Sequence, residues 1–297
     1  MLLTSLQNIN IIENKNLRDL CTLGVGGNAK YFAAPESVSD LVKILLAAKN
    51  ENLPVYVLGG GSNIIFPDKL INGLVIATGN LSAINWEENF VDVQSGYKLP
   101  LLVKIFRDKN LGGLEFAAGI PGTLGGAIYG NAGTSGHGIC ELVESVMTLD
   151  SSGNLKNFMA NDFSFEYRKC SLADEKIIII SAKIRLDNAL NWNEDEYKKV
   201  LSSRQNQPLN FRSAGCTFKN PAGFSAGKLL DDCGCKNLSV GGAVVSDKHA
   251  NFILNTCNAS YFDIVNLIEI CRRKVLNLTG INLEQEIKIA APCFERQ

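Results

Sequence analysis

Interleaved strand and helix patterns place this chain in the α/β or α+β class, with two domains. Three observations carry that reading. Strand-length apolar runs alternate with stripes of helical period through the first two-thirds of the chain; glycines gather in a few short segments; and the composition changes near residue 188. At roughly 100–200 residues per domain, 297 residues fit a first domain over 1–188 and a second over 189–297.

The elements follow in order. Ser37-Val38-Ser39-Asp40 resembles a capping box, and the helix it opens carries Leu41, Ile44, Leu45 and Ala48 on one face. Residues 54–58, Pro-Val-Tyr-Val-Leu, read as a buried strand that runs directly into Gly59. Further strands are expected at 74–77 and 90–94, then a helix at 99–109. After a glycine-rich stretch come a strand at 143–149, a turn at Ser151-Ser152-Gly153 and a strongly β-branched strand at 176–186. A charged helix begins near Glu194. The clearest helix runs from Tyr261 to Leu278, with Ser260 and Asp263 at its start, Gly280 at its stop, and a stripe of Ile264, Leu267, Ile268, Cys271, Val275 and Leu278.

Composition removes several classes of function. Lys and Arg number 29 against 30 Asp and Glu, a net charge of −1, so there is no electrostatic footprint for nucleic acid or anionic lipid. The longest aliphatic run is Ile177–Ile180, far below the ~18 residues of a membrane span. The first ten residues lack a basic region and a small-residue cleavage site, and a cytoplasmic location is expected. The nine cysteines are an odd number in a long chain and read as reduced, mostly buried small hydrophobes. Cys233 and Cys235 lack the spacing of a structural zinc site, so no metal is expected.

The chemistry points to the glycines. Sixteen of 27 lie in three clusters: Gly24 to Gly27, Gly59-Gly60-Gly61, and Gly112 to Gly138. Such clusters suit binding loops better than element interiors. Val55 to Ile65 is strand, glycine turn, then Ser62 and Asn63, where successive backbone N–H groups can converge on an anion. It is neither a Walker loop nor a G-x-G-x-x-G helix opening. Leu114 to Gly133 adds many backbone donors, apolar hinges and the rigid Pro121. Together they suit a ligand with two phosphates and a flat apolar ring, of which a flavin dinucleotide is one.

Eight segments in order then resemble the UDP-N-acetylenolpyruvoylglucosamine reductase (MurB) family: TLGVGGNAKYF, LGGGSNII, GLEFAAGIPGTLGGAIYGNAG, FSFEYRKCS, SAGCTFKNP, AGKLLDD, VSDKHANFILN and LEQEIKI, spanning about residues 22–289. The resemblance implies an FAD-binding domain of the vanillyl-alcohol-oxidase/PCMH type in two subdomains, split near 75–80, and a C-terminal α+β substrate domain. It implies NADPH as hydride donor, and reduction of the enolpyruvyl ether of UDP-N-acetylglucosamine to UDP-N-acetylmuramate for peptidoglycan. The partners it implies are small molecules, with the chain a monomer. It also implies the shorter type, since no insertion for an extra tyrosine-bearing loop is found.

By that resemblance FAD is held by Gly59, Gly60, Gly61, Ser62, Asn63, Gly119, Ile120, Pro121, Gly122, Gly125, Gly126, Asn131 and Ala132. It is non-covalent, because the first glycine loop carries no histidine; His137 is a candidate to line the cofactor and His249 reads as structural. Arg168, after Tyr167, is the cation for a carboxylate gaining enolate character. Glu286 is the polar group beside it, with Glu284 its rival in the same motif. Cys216 stands where many members have serine. A free thiol titrates near ~8.5, so it can hold a proton at neutral pH and give it to a carbanion. Tyr167, Arg204, Lys219 and Asn220 are candidates for substrate contact, Arg204 at the diphosphate. The alternatives are an FAD-dependent oxidase or dehydrogenase of a small alcohol or sugar, and a silent nucleotide-sugar binder.

Overall fold

The computed structural model describes residues 3–186 and 190–294; the boundary expected at 188 lies outside the described residues. The first unit comprises β1 (Ile11–Asn16), β2 (Asn28–Ala33), α1 (Val38–Asn50), β3 (Val55–Leu58), β4 (Ile64–Ile65) and β5 (Ile71–Ala77). Its sheet has the order β1-β2-β5-β3, parallel except for the β1–β2 pair. At the start of α1 the Asp40 N–H donates to Ser37 Oγ at 3.1 Å, satisfying one of the helix's orphan donors. Leu41, Ile44, Leu45 and Ala48 are buried as their spacing predicts. β5 starts at Ile71, three residues before its expected start. Gly73 lies within this earlier start, and a Cβ there would come within 2.6 Å of the Pro54 carbonyl oxygen. This glycine lets the strand lie against its neighbour.

The second unit has β6 (Ile84–Trp86), β7 (Phe90–Gln94), α2 (Leu99–Asp108), α3 (Leu124–Tyr129), β8 (Val143–Asp150), β9 (Leu155–Met159), β10 (Phe165–Glu166), β11 (Lys169–Cys170) and β12 (Ile177–Arg185). Its main sheet, β6-β7-β12-β8-β9, is antiparallel throughout. The aliphatic run on β12 has a reason. Ile178 and Ile180 pack into the core containing α1, while Ile179, Ala182 and Ile184 pack with α2 and α3. A strand covered on both faces reads as continuous apolar sequence. The irregularity between Ile179 and Ser181 switches which parity faces which core.

The third unit has α4 (Glu194–Ser203), β13 (Arg212–Cys216), α5 (Ala226–Asp232), β14 (Ser239–Val240), β15 (Ala243–Val245), β16 (Phe252–Asn255), α6 (Tyr261–Thr279) and β17 (Lys288–Ile289). Its sheet, β13-β16-β15-β14, is antiparallel and carries α6. Ser260 and Asp263, expected at its start, form a capping box, and Gly280 closes α6 at φ +75°. Leu278 departs from the predicted stripe: it is 66% exposed, on the last turn beyond Val275, the last buried residue of the helix. All nine cysteines are free; six are buried, and Cys257 is exposed. Among the described residues no helix is long and apolar enough to cross a membrane, and no group of three or more His, Cys, Asp or Glu could hold a metal.

The units are tied to one another. Leu23, Val25 and Ile65 from the N-terminal part pack into the core of the third unit. Buried Asn255 donates to the carbonyls of Leu23 (3.0 Å) and Gly24 (3.1 Å) and accepts from the Ala259 N–H (2.8 Å). The C-terminal segment returns to the first unit, where β17 pairs in parallel with β4.

Candidate active site

Two glycine segments meet backbone to backbone. A Cβ on Gly60 would lie 2.6 Å from Gly122 Cα, one on Gly59 2.7 Å from Thr123 Oγ1, and one on Gly122 2.8 Å from Ser62 Oγ. Gly122 has φ +102°. Gly125 and Gly126 correct the expectation that these glycines avoid element interiors, since both lie within α3. Gly125 is there for close packing: its Cβ would be 2.7 Å from that of Ser95, whose carbonyl accepts the Gly125 N–H at 2.8 Å. The hydroxyls of Ser95 and Thr123 are buried and have no hydrogen-bond partner. Orphaned polar atoms beside a glycine cradle mark a place where a polar ligand is needed.

The other expected cofactor contacts divide. Gly119 (φ +71°) accepts from Arg204 Nη1 at 3.4 Å, and Ile120 packs on the second core. Pro121 lies between Ile120 and Gly122, at the start of the close approach. Asn131 is buried with both side-chain atoms engaged: Oδ1 accepts from the Cys140 N–H (3.1 Å), and Nδ2 donates to the Glu166 carbonyl (2.9 Å). It anchors the β10–β11 hairpin. The Ala132 N–H closes the end of α3 on the Ala127 carbonyl at 2.8 Å. His137 is exposed and lies 3.0 Å from Glu141.

The hairpin turn places Tyr167 and Arg168 between β10 and β11. Arg168 has φ +56°, the left-handed region, which costs a non-glycine residue about 1–3 kcal/mol unless its surroundings impose it. They do. Arg168 Nε donates to Glu286 Oε1 at 2.8 Å, and Nη2 donates to the Gly133 carbonyl at 2.8 Å. Its guanidinium also sits 4.9 Å from the Tyr167 ring centre. Only 22% of the Arg168 side chain and 17% of the Glu286 side chain are exposed. Burial pushes the Glu286 carboxyl above its ordinary value, with Arg168 opposing.

Cys216 ends β13. Burial raises its thiol to about 11; the nearby Glu286 charge adds to this, and Arg168 and Arg204 oppose it. The thiol therefore keeps its proton across the neutral range. The Glu286 N–H donates to the Thr217 carbonyl at 2.8 Å, so Cys216 and Glu286 are separated by one peptide and one hydrogen bond. Asn63, expected at the cofactor, donates through Nδ2 to the Glu286 carbonyl at 3.3 Å, while its own carbonyl accepts from the Lys288 N–H at 3.0 Å. The first glycine loop is thus tied to the carboxylate's own strand.

The two acidic candidates separate clearly. Glu284 is 72% exposed and pairs with Lys219 at 2.6 Å, whereas Glu286 faces Arg168. Asn220 accepts from the Ala226 N–H at 2.9 Å, at the start of α5, and its own N–H donates to the Tyr167 hydroxyl at 3.4 Å. Arg204 follows α4 against Gly119, its Nε buried without a partner; burial lowers its pKa, and the Arg168 charge adds to that. A cleft of about 600 Å³ opens beside the hairpin, walled by Tyr167, Arg168, Lys219, Asn220 and Lys288 among others. Lys288 was not foreseen, although it lies two residues after Glu286 in the same motif. Cys216, Arg204 and the glycine loops are not among the walls of this cleft.

Two family models match separate stretches of the chain. Residues 29–158 match the family model of an FAD binding domain, and residues 207–290 that of the C-terminal domain of UDP-N-acetylenolpyruvoylglucosamine reductase. A UDP-N-acetylenolpyruvoylglucosamine reductase of Caldanaerobacter subterraneus is 37% identical, the alignment covering 93% of this chain and 92% of that protein. The one from Clostridioides difficile is also 37% identical, covering 97% and 96%. Among solved structures, that of the reductase from Thermus caldophilus has a TM-score of 0.79 at 32% identity, covering 95% of this chain and 98% of that one.

Proposed function

The chain belongs to the UDP-N-acetylenolpyruvoylglucosamine reductase family, and we propose how its own residues carry the family's reaction. It is a flavin-dependent oxidoreductase that reduces the enolpyruvyl ether of UDP-N-acetylglucosamine to UDP-N-acetylmuramate, a peptidoglycan precursor, with NADPH as reductant. Its FAD-binding part is of the vanillyl-alcohol-oxidase/PCMH type. An oxidase of simple alcohols or sugars is the less favoured reading, since the relatives share the reductase name over almost the whole chain. We place the FAD-binding part in 1–188 and the substrate part in 189–297, in a monomer working in the cytoplasm.

The glycine cradle fits FAD. Gly59 to Ser62, Gly119, Gly122 and Thr123 offer backbone N–H groups at an approach where Gly59, Gly60 and Gly122 have no room for a side chain, and the partnerless hydroxyls of Ser95 and Thr123 lie beside them. The chemistry supplied by bound FAD is the carriage of a hydride from NADPH to the substrate. Gly60→Ala is expected to force the two segments apart. Purified protein should then carry little flavin by absorbance near ~450 nm, and full flavin content would count against the cradle.

The observation that carries the mechanism is the half-buried Arg168–Glu286 pair near Cys216, whose thiol is pushed up to about 11 by burial. Hydride reaches the terminal methylene of the enolpyruvyl group, leaving an enolate on the adjacent carbon and carboxylate. Arg168 holds that carboxylate and stabilises its added charge, and Glu286 and the Gly133 carbonyl fix the guanidinium in place. Cys216 gives its proton to the carbanionic carbon: the S–H bond breaks, the C–H bond forms, and the thiolate is left beside Arg168 and Arg204 before solvent reprotonates it. Lys219, Asn220 and Tyr167 take the nucleotide-sugar portion.

The test separates the half-reactions. Anaerobic protein should be bleached by NADPH and reoxidised by UDP-N-acetylglucosamine enolpyruvate but not by simple carbonyl acceptors; reoxidation by the latter alone would reject the reading. A second expectation concerns Glu286. Its folded pKa is raised above the 4.5 of the free group, so its contribution to stability is present below that pH and lost as pH rises through the folded value. Glu286→Gln is therefore expected to lower turnover, and its melting temperature relative to wild type should be higher at neutral pH than at low pH, because the glutamine has no proton to lose. A relative melting temperature that falls as pH rises would contradict it.

A further inference from the structure

We propose that Asn251 is a positioning residue for the protonation step, its side-chain amide setting the register of the short segment that joins Cys216 to Glu286. The proposal rests on the reading of Cys216 as proton donor.

The backbone pairing of β13 fails where the site needs it. Arg212 and Ser213 pair with Asn255 and Leu254, but the next pair is Cys216 with Phe252, one extra residue on the β13 side. Gly215 (φ +78°) sits in that bulge. β16 begins only at Phe252, because the chain before it turns, with the Phe252 N–H donating to the His249 carbonyl. Beyond Cys216 there is thus no strand for the outer edge to pair with.

Asn251 takes the place of that strand. Its carbonyl accepts the Thr217 N–H at 2.7 Å. Its side chain then exchanges two bonds with Phe218: Oδ1 accepts the Phe218 N–H at 2.9 Å, and Nδ2 donates to the Phe218 carbonyl at 2.8 Å. One amide side chain reproduces the pair of bonds that a residue on a neighbouring antiparallel strand would make. On its other edge the segment bridges to residues 284–286, through Glu286 N–H to Thr217 carbonyl and Lys219 N–H to Glu284 carbonyl, each 2.8 Å. Asn251 is 2% exposed and Phe218 1%. Without the amide, two buried main-chain groups of Phe218 lose their partners, and the peptide between Cys216 and Glu286 loses its outer support.

Asn251 lies outside the cleft walls, and its amide is consumed by Phe218. It acts through the segment, which makes its effect specific to one half of the reaction. NADPH oxidation needs the flavin but not the relation of Cys216 to Glu286; substrate reduction needs both.

The experiment compares Asn251→Ala and Asn251→Asp with the wild type and Cys216→Ala, as flavin-loaded protein. Flavin content and the NADPH bleaching rate are expected to stay within about twofold, while reoxidation at saturating substrate slows about 10²-fold with KM changed less. Asn251→Asp adds a signature: a protonated carboxyl again donates to the Phe218 carbonyl. Its reoxidation, taken as a ratio to the wild type, should recover as pH falls, and that of Asn251→Ala should not. The ratio matters because His249, whose Nδ1 accepts the Asn251 N–H at 3.3 Å, Cys216 and Glu286 titrate in both proteins.

Wild-type reoxidation in Asn251→Ala, or parallel loss of flavin content and both half-reactions, would overturn the proposal. If Asn251→Ala does not fold, absence of the pH recovery in Asn251→Asp overturns it. Normal reoxidation in Cys216→Ala would instead remove the donor reading on which it rests, and that outcome is distinguishable because it does not involve Asn251.

Discussion

Cys216→Ala is expected to abolish substrate-driven reoxidation of the flavin, by about 10²- to 10⁴-fold, the range a positioned general acid supplies. Bleaching by NADPH should proceed at the wild-type rate, because no proton from residue 216 is needed when hydride enters the flavin. Cys216→Ser should recover most of the loss, since a hydroxyl of similar size can hold and give the same proton. The thiol and the hydroxyl separate at high pH. With its pKa raised to about 11 by burial, the thiol stays protonated through the neutral range, so the reoxidation rate should be flat there and fall only as pH approaches that value. The serine variant should lack that limb. Stopped-flow absorbance of the flavin, read separately for each half-reaction, decides it, and equal reoxidation in wild type and Cys216→Ala would remove Cys216 from the mechanism.

The parts of this fold that were legible in sequence are those where local chemistry and tertiary packing agree. α1 and α6 carry their caps and their apolar stripes in the same stretch of residues, and β12 announces its two covered faces as an unbroken aliphatic run. β1 was hidden for the opposite reason. Glu13, Asn14, Lys15 and Asn16 sit on a sheet edge, where one side of the strand faces solvent and apolar alternation is not required. α3 was hidden by Gly125 and Gly126, which signal a loop until the approach to Ser95 is seen.

The site divides in the same way. Arg168, Cys216 and Glu286 are expected at the site through their motif contexts, yet nothing local to any of them shows that Glu286 hydrogen-bonds the residue after Cys216. Asn63 reads as a cofactor donor because it stands in the first glycine loop; its side chain also ties that loop to the Glu286 carbonyl. Asn251 lay in a quoted motif with no role assigned, because an amide that imitates a strand looks like any other asparagine until its partner is in place.

Arg168 should show the second large effect, and one that couples activity to stability. Arg168→Met removes the cation proposed to hold the enolate and is expected to cost about 10²- to 10³-fold in substrate reduction. It also removes the nearest counter-charge of half-buried Glu286, leaving only the weaker pull of Lys219 and Lys288. Breaking a fully buried pair from one side costs about 3–5 kcal/mol, and this part-exposed pair should cost less; here the cost must also depend on pH. The Glu286 carboxyl, already raised above 4.5, rises further without Arg168. Well below 4.5 it is neutral in both folded and unfolded chains and this part of the destabilisation vanishes, leaving the loss of the bond to the Gly133 carbonyl; it grows as pH climbs through the folded value, where the carboxylate is held without its guanidinium. Urea denaturation at low and at neutral pH should show a larger gap between wild type and variant at the higher pH, and a gap of equal size at both would contradict the account. Arg168→Lys retains charge but cannot span Glu286 and the Gly133 carbonyl together, so it should fall between wild type and methionine in both measurements. The left-handed backbone at Arg168, φ +56°, supplies the last control. Arg168→Gly relieves that strain and still lacks the guanidinium, so any stability it regains over Arg168→Met should come without recovery of substrate reduction.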